Sequence, residues 1–182
     1  MGEVFNFGPS DFSVPAGTED PDGCFKEVLH RTHAVLKPRG FRKTGQNFYR
    51  TKGQSTQVAN FQRSQWRLSR EHPISFTINV RLMLPGLSAP AGTERPQFSR
   101  CDLDLRIGRL DPEHARDIWW DLGNRSDVEV VWKDVEHRIS RDVLPVFDSA
   151  TTIEGLAQIA RNHRQYVFVE TRKWFSQRGI EV

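Results

Sequence analysis

The chain has 182 residues, of which 37% are hydrophobic and 27% charged, and its net charge is +3. These proportions fit one soluble globular domain and exclude a disordered polyelectrolyte. No apolar run approaches the about 18 residues of a membrane span, and the opening Met-Gly-Glu-Val-Phe-Asn-Phe-Gly lacks the basic-then-apolar order of a secretory signal.

Residues 1–19, rich in Gly, Pro, Ser and acids, read as a loose arm carrying Phe5, Phe7 and Phe12, so the domain is expected over residues 20–182. Asp20 before Pro21 is the chemistry of a helix N-cap followed by its first position. Phe25, Val28, Leu29, Thr32, Val35 and Leu36 follow at helical spacing, and Pro38-Arg39-Gly40 stops the helix. Strand signals come next. Phe41 to Lys43 and Asn47 to Thr51 flank a tight Thr44-Gly45-Gln46 turn, and Lys52-Gly53-Gln54 leads into a longer strand from Thr56 to Trp66. Ile74, Phe76, Ile78, Val80, Leu82 and Leu84 alternate with Ser75, Thr77, Asn79, Arg81 and Met83, the mark of a strand with one buried face. Cys101, Leu103, Leu105 and Ile107 repeat that alternation, after an aperiodic loop over Pro85 to Arg100 of the length that carries function.

Beyond Leu110 the period changes. Asp111-Pro112-Glu113 is expected to open a short helical turn towards Trp119 and Trp120. Ser126-x-x-Glu129 and Thr151-x-x-Glu154 read as capping boxes for two further helices. The segment Gln165 to Arg178 carries both strand and helix signals and is read as a helix ending at Gly179. Segregated order of this kind predicts an α+β domain: an antiparallel sheet of about five strands, with an N-terminal helix and about three C-terminal helices packed on one face.

Several strings carry a family resemblance: Leu36-Lys37-Pro38-Arg39-Gly40-Phe41-Arg42-Lys43, Asn47-Phe48-Tyr49-Arg50, Phe61-Gln62-Arg63-Ser64, Phe76-Thr77-Ile78-Asn79-Val80 and Arg106-Ile107-Gly108-Arg109-Leu110. With the element order they resemble the bacterial domain of unknown function 4304, over roughly residues 22 to 145. The resemblance supports the fold and supplies no catalytic residue. It also implies an interaction or immunity-like module of bacterial conflict systems.

Charge provides the functional lead. Pro38 to Arg81 holds nine Lys/Arg and a single acid, Glu71, whereas the rest of the chain has 17 Lys/Arg against 22 Asp/Glu. Arg42, Arg50, Arg63, Arg67, Arg70 and Arg81, with Trp66 among them, therefore form the expected binding surface. Its expected partner is an acidic protein, because a basic patch steers and selects acidic partners. The alternative is single-stranded nucleic acid, since Phe48, Tyr49, Phe61 and Trp66 beside arginines are the ingredients of a base-stacking sheet. An enzyme is the third reading, with Asp102, Asp104, His30 and His33 as its candidate site. The simpler account of those aspartates is cross-strand pairing with arginine, and that of the two histidines is a solvated helix face. No metal set or cofactor motif is present. Cys24 and Cys101 fit a reducing cytoplasm and read as small buried residues, whereas Trp119, Trp120 and Trp132 are expected in the core.

Overall fold

The computed structural model describes residues 20–65, 74–90, 95–110 and 115–182. Helix α1 spans Pro21–Leu36 and starts as its sequence dictates: the Asp20 side chain accepts a hydrogen bond from the Asp22 amide at 3.0 Å, with Pro21 in the first turn. A 3₁₀ turn over Lys37–Arg39 and Gly40 at φ 84° end it. Strands β1 (Arg42–Thr44), β2 (Asn47–Lys52), β3 (Ser55–Arg63) and β4 (Ile74–Met83) follow as an antiparallel meander. Both hairpin turns put glycine first and glutamine second, with Gly45 at φ 56° and Gly53 at φ 60°. A glycine-first two-residue turn matches the twist of the flanking strands.

Strand β5 (Leu103–Arg106) lies beside the C-terminal half of β4, and β6 (Trp120–Leu122) beside its N-terminal half. The sixth strand replaces the helical turn expected towards Trp120. Three residues are too few for a period to show, yet Trp120 and Leu122 are buried and Asp121 is exposed, so pairing with Ile74 and Phe76 decides their conformation. The proposed start of that turn, Asp111-Pro112-Glu113, lies outside the described residues.

Four helices follow: α2 (Arg125–Arg138), α3 (Leu144–Ser149), α4 (Ile153–Asn162) and α5 (Val169–Ser176). The cap of α2 is Asn124 with Asp127, not Ser126 with Glu129. Asn124 Oδ1 accepts from the Ser126 amide, and Asp127 Oδ2 accepts from the Gly123 and Asn124 amides. Glu129 is thereby released to pair with Arg31 of α1 at 2.6 Å. The cap of α4 is likewise one residue later than expected. Thr152 accepts from the Gly155 amide, while Thr151 gives its carbonyl to the Gln54 amide of the β2–β3 turn. Between α2 and α3 the helix widens into a π turn over Ile139–Val143. Pro145 is the local cause, for it has no N–H and its ring crowds the preceding turn. Near the C-terminus both signals are real: Val167 bridges to Leu103, and the turn that closes α5 passes through Gly179, φ 70°, with the Ile180 amide returning to the Phe175 carbonyl.

The register sorts every side chain. Ile74, Phe76, Ile78, Val80 and Leu82 of β4 share a face with Ala59 and Phe61 of β3, Phe48 of β2, Leu103 and Leu105 of β5, and Trp120 of β6. The helices bury this face. Phe48, Phe61, Phe76 and Trp120 form a continuous aromatic row, with ring centroids 5.4, 5.8 and 5.3 Å apart, and Phe25 of α1 meets Phe76 at 5.2 Å. Such contacts add about 0.5–1.5 kcal/mol each beyond area burial. Trp120 also donates from Nε1 to Asp134 of α2 at 2.8 Å. Among the described residues no helix is long and apolar enough to cross a membrane.

Gly53 ties the hairpin to the helical layer, since a Cβ there would lie 2.1 Å from the Thr151 carbonyl oxygen. Gly53→Ala combines that clash with an unfavourable positive φ. It is expected to cost more than about 1 kcal/mol, a fall of at least about 2 °C in thermal melting. Gly45→Ala, with open space around it, pays only the backbone term and melts at a higher temperature than Gly53→Ala.

Candidate binding face

The basic stretch does not line one surface. Arg50 pairs across strands with Gln57, and Arg63 with Phe76, both on the helix-covered face; Arg42 pairs with Tyr49, and Arg81 with Val58 and Asp104, on the opposite one. Arg50 is only 8% exposed. Its Nε donates to Gln57 Oε1 at 2.7 Å, Nη1 to the Arg39 carbonyl at 2.8 Å and Nη2 to Asp148 of α3 at 3.0 Å, and the guanidinium lies 4.5 Å from the Phe41 ring centroid. Burial pushes the Asp148 carboxyl up, but the hydrogen bonds and charges of Arg50 and Lys52 outweigh it and hold the group below the ordinary carboxylate range. Arg50 is thus a fastening between sheet and helix, not a contact residue. Arg63 pairs with Asp22 at 2.6 Å and covers Phe25, 5.6 Å from its centroid, clasping β3 to α1. Trp66, Arg67 and Arg70 lie outside the described residues.

The face away from the helices is polar. Asn60 Nδ2 donates to Asn47 Oδ1 at 2.8 Å, and Asn79 Nδ2 donates to Asn60 Oδ1 at 3.1 Å and to Gln62 Oε1 at 2.8 Å, so an amide ladder crosses β2, β3 and β4. In the next row Arg81 donates from Nε to Asp104 at 3.1 Å and from Nη1 to the Phe98 carbonyl at 2.9 Å. That second bond draws the loop after β4 over the sheet, where the Phe98 ring meets Tyr49 at 5.3 Å and Arg95 sits 5.4 Å from the Phe98 centroid. Arg42, Arg95 and Arg100 are exposed and have no carboxylate partner among the described residues. The result is an aromatic pair flanked by unneutralised guanidinium groups. Among the described residues, the hydroxyl of Thr77 on this face is fully buried and makes no hydrogen bond.

Two further arginines near this face are committed to a pairing of their own. Arg106 and Arg109 share Asp117 at 2.8 and 2.7 Å, with Arg106 over Trp119 and Arg109 over Tyr166. Trp119 is therefore half-buried under an arginine instead of filling the core, because it precedes Trp120 by one residue and points the other way.

The enzyme candidates do not converge. Asp104 is neutralised by Arg81 across the strands. Asp102 is buried and accepts from the Leu84 amide and Ser88 Oγ, both at 2.6 Å, which closes the turn after β4. Burial pushes its carboxyl above the ordinary range against the pull of those bonds. His30 is exposed on α1, and the His33 ring lies 6.2 Å from Phe48, on the helix side of the sheet. The sheet thus stands between the histidines and Asp104. No group of three His, Cys, Asp or Glu that could hold a metal ion occurs among the described residues. Burial, with the Asp104 charge beside it, pushes the Cys101 thiol up to about 12, leaving almost no thiolate at neutral pH.

Sequence reasoning named Arg42, Arg81 and Tyr49 and singled out the Pro85–Arg100 loop as a whole, but not Arg95, Phe98 and Arg100 within it, because a loop with no period gives no residue a side. A family profile described as Domain of unknown function (DUF4304) matches residues 32–149. No curated protein and no solved structure matches the chain.

Arg50→Met, which keeps the stem and removes the guanidinium, strands Gln57 Oε1 and the Arg39 carbonyl. It is expected to cost about 2–3 kcal/mol, read as a lower urea midpoint, whereas Arg42→Met stays within about 0.5 kcal/mol of the wild type. Iodoacetamide at pH 8 should leave Cys101 unmodified in the folded protein and alkylate it in denaturant. Rapid labelling of the folded chain would show an activated thiol instead.

Proposed function

The chain belongs to the family described as Domain of unknown function (DUF4304), and within it we propose that the protein is a non-catalytic binding module that docks an acidic protein partner on the sheet face opposite its helices. One observation carries the reading. Among the described residues, Arg42, Arg95 and Arg100 stand without carboxylate partners near the Tyr49–Phe98 pair, while Arg50, Arg63, Arg81, Arg106 and Arg109 are tied into internal pairs. Unneutralised guanidinium groups beside half-buried aromatic rings are the residue types that dominate protein interfaces. The ladder of Asn47, Asn60, Asn79 and Gln62 ties β2, β3 and β4 in one register. An immunity-like module is one form such binding takes, and the low count of two cysteines supports a cytoplasmic setting.

The same aromatic pair gives the second reading its footing, since a ring beside arginine also stacks on an unpaired base. Salt separates the two. Each phosphate contact adds a steep salt dependence, so several contacts cost on the order of a thousandfold in affinity between about 50 and about 200 mM salt.

The test uses the immobilised full chain and its Arg42→Glu/Arg95→Glu variant. The wild type is expected to retain a small set of acidic proteins from a lysate of its own cells, and the variant, with unchanged melting temperature, to lose them by about tenfold or more. Tight, steeply salt-sensitive binding of ten-nucleotide single strands, lost in the same variant, would transfer the face to nucleic acid. Retention of neither class sinks the binding-module reading.

A further inference from the structure

The loop that follows β4 is fastened at both limbs. On the outgoing limb the Leu87 and Ala89 amides return to the Leu84 carbonyl at 3.1 Å, Asp102 receives the Leu84 amide and Ser88 Oγ, and the Trp174 indole of α5 donates to the Pro85 carbonyl at 3.0 Å. On the returning limb the Arg100 amide bonds the Gln97 carbonyl at 2.8 Å, and the Phe98 carbonyl is held by Arg81. Thr171 of α5 donates to the Asp102 carbonyl at 2.9 Å, so the start of β5 and the beginning of α5 close the third side. These anchors leave a cavity of about 570 Å³, within the range of about 300–1,000 Å³ typical of built ligand sites.

Its lining is divided by chemistry. Leu87 and Phe168 are 40% and 51% exposed, two of the four exposed large hydrophobic residues of the described chain, and both face this space with Pro90 between them in character. Arg95 and Arg100 line it as well, exposed and, among the described residues, without a carboxylate partner. The acids beneath are already occupied, Asp104 by Arg81 and Asp102 by the Leu84 and Ser88 donors. An apolar wall next to unneutralised guanidinium groups fits a ligand that carries an apolar side chain and a carboxylate within a few residues of each other.

We propose that this cavity seats a linear peptide segment of the partner, with a leucine, isoleucine or phenylalanine side chain between Leu87 and Phe168 and an acidic side chain paired with Arg95 or Arg100. The assignment rests on the acidic-partner reading and deepens it. Charge selects the partner over the wider sheet face, and the cavity reads one short motif of it. A bidentate guanidinium–carboxylate pair fixes the direction of the segment, and the exposed phenylalanine supplies the anchor that most of the binding energy depends on.

The experiment is selection of a randomised heptapeptide display library on the full chain, with counter-selection on the Phe168→Ser/Arg100→Glu variant. Enriched peptides are expected to combine a large apolar residue with Asp or Glu one to three positions away. A synthetic, fluorescently labelled member should lose at least about tenfold in affinity with Phe168→Ser, with Leu87→Ser and with Arg100→Glu, and change by less than about twofold with Lys26→Glu, an exposed position on α1 outside both the cavity and the proposed binding face. Both Phe168 and Leu87 are exposed, so unchanged melting temperatures should accompany the losses. Absence of enrichment, enriched peptides lacking either the apolar or the acidic residue, or affinity indifferent to Phe168→Ser each overturns the assignment. If acidic proteins are still captured in an Arg42- and Arg95-dependent way, only the cavity falls; if that capture fails too, the acidic-partner reading falls with it.

Discussion

The register of strand β4 is the constraint from which the rest of the structure follows. It is flanked by β3 along one edge and by β5 and β6 along the other, so its ten residues set the phase of four strands. Period two then commits Ile74, Phe76, Ile78, Val80 and Leu82 to the helices, and Ser75, Thr77, Asn79, Arg81 and Met83 to the other side. A slip of one residue would place Asn79 and Arg81 in the aromatic row and Ile78 and Val80 among the amides. Desolvating a guanidinium and an amide without partners opposes that slip strongly, so the hydrophobic core and the polar face are enforced by one and the same pattern.

Arginine performs two separate jobs in this domain. Arg50, Arg63 and Arg31 are used internally. Each bridges two elements through carboxylates or carbonyls, and the guanidinium groups of Arg50 and Arg63 also lie over phenylalanine rings. Arg50 is the extreme case, with three acceptors from three segments and a phenylalanine beneath it. Removing its guanidinium would leave the fully buried Gln57 Oε1 without its donor. Arg42, Arg95 and Arg100 have no such duties, and their charge remains available to a partner. The excess of arginine over lysine suits both jobs, because a planar, forked cation can cover a ring and bind two acceptors at once.

Much of the architecture was legible because it rests on local chemistry. Asp20 with Pro21, the two Gly-Gln turns and the alternation of β4 act within a few residues, and each element formed where it was read. The errors fell where a distant partner overrode a local signal. Glu129 looked like half of a capping box but pairs with Arg31 across the α1–α2 contact. Trp120 looked helical but is drawn into the sheet by Phe76 and Asp134. Val167 looked like either a strand or a helix residue and serves as a single bridge before α5 begins.

The candidate binding face was less legible than the fold for a related reason. Composition marked Pro38 to Arg81 as basic but could not say which side of the sheet each arginine would occupy. By itself the sequence determined the helix starts, the turns, the buried face of β4 and the local surplus of positive charge, since all of these depend on neighbours along the chain. Only the tertiary structure decided that Arg50 and Arg63 are consumed in holding helices to the sheet, that Arg81 draws Phe98 onto Tyr49, and that Arg95 and Arg100 are left beside Phe168. Those outcomes depend on which groups meet after the chain closes on itself, where a carboxylate about a hundred residues away, Asp148 for Arg50, decides whether a charge is spent or free.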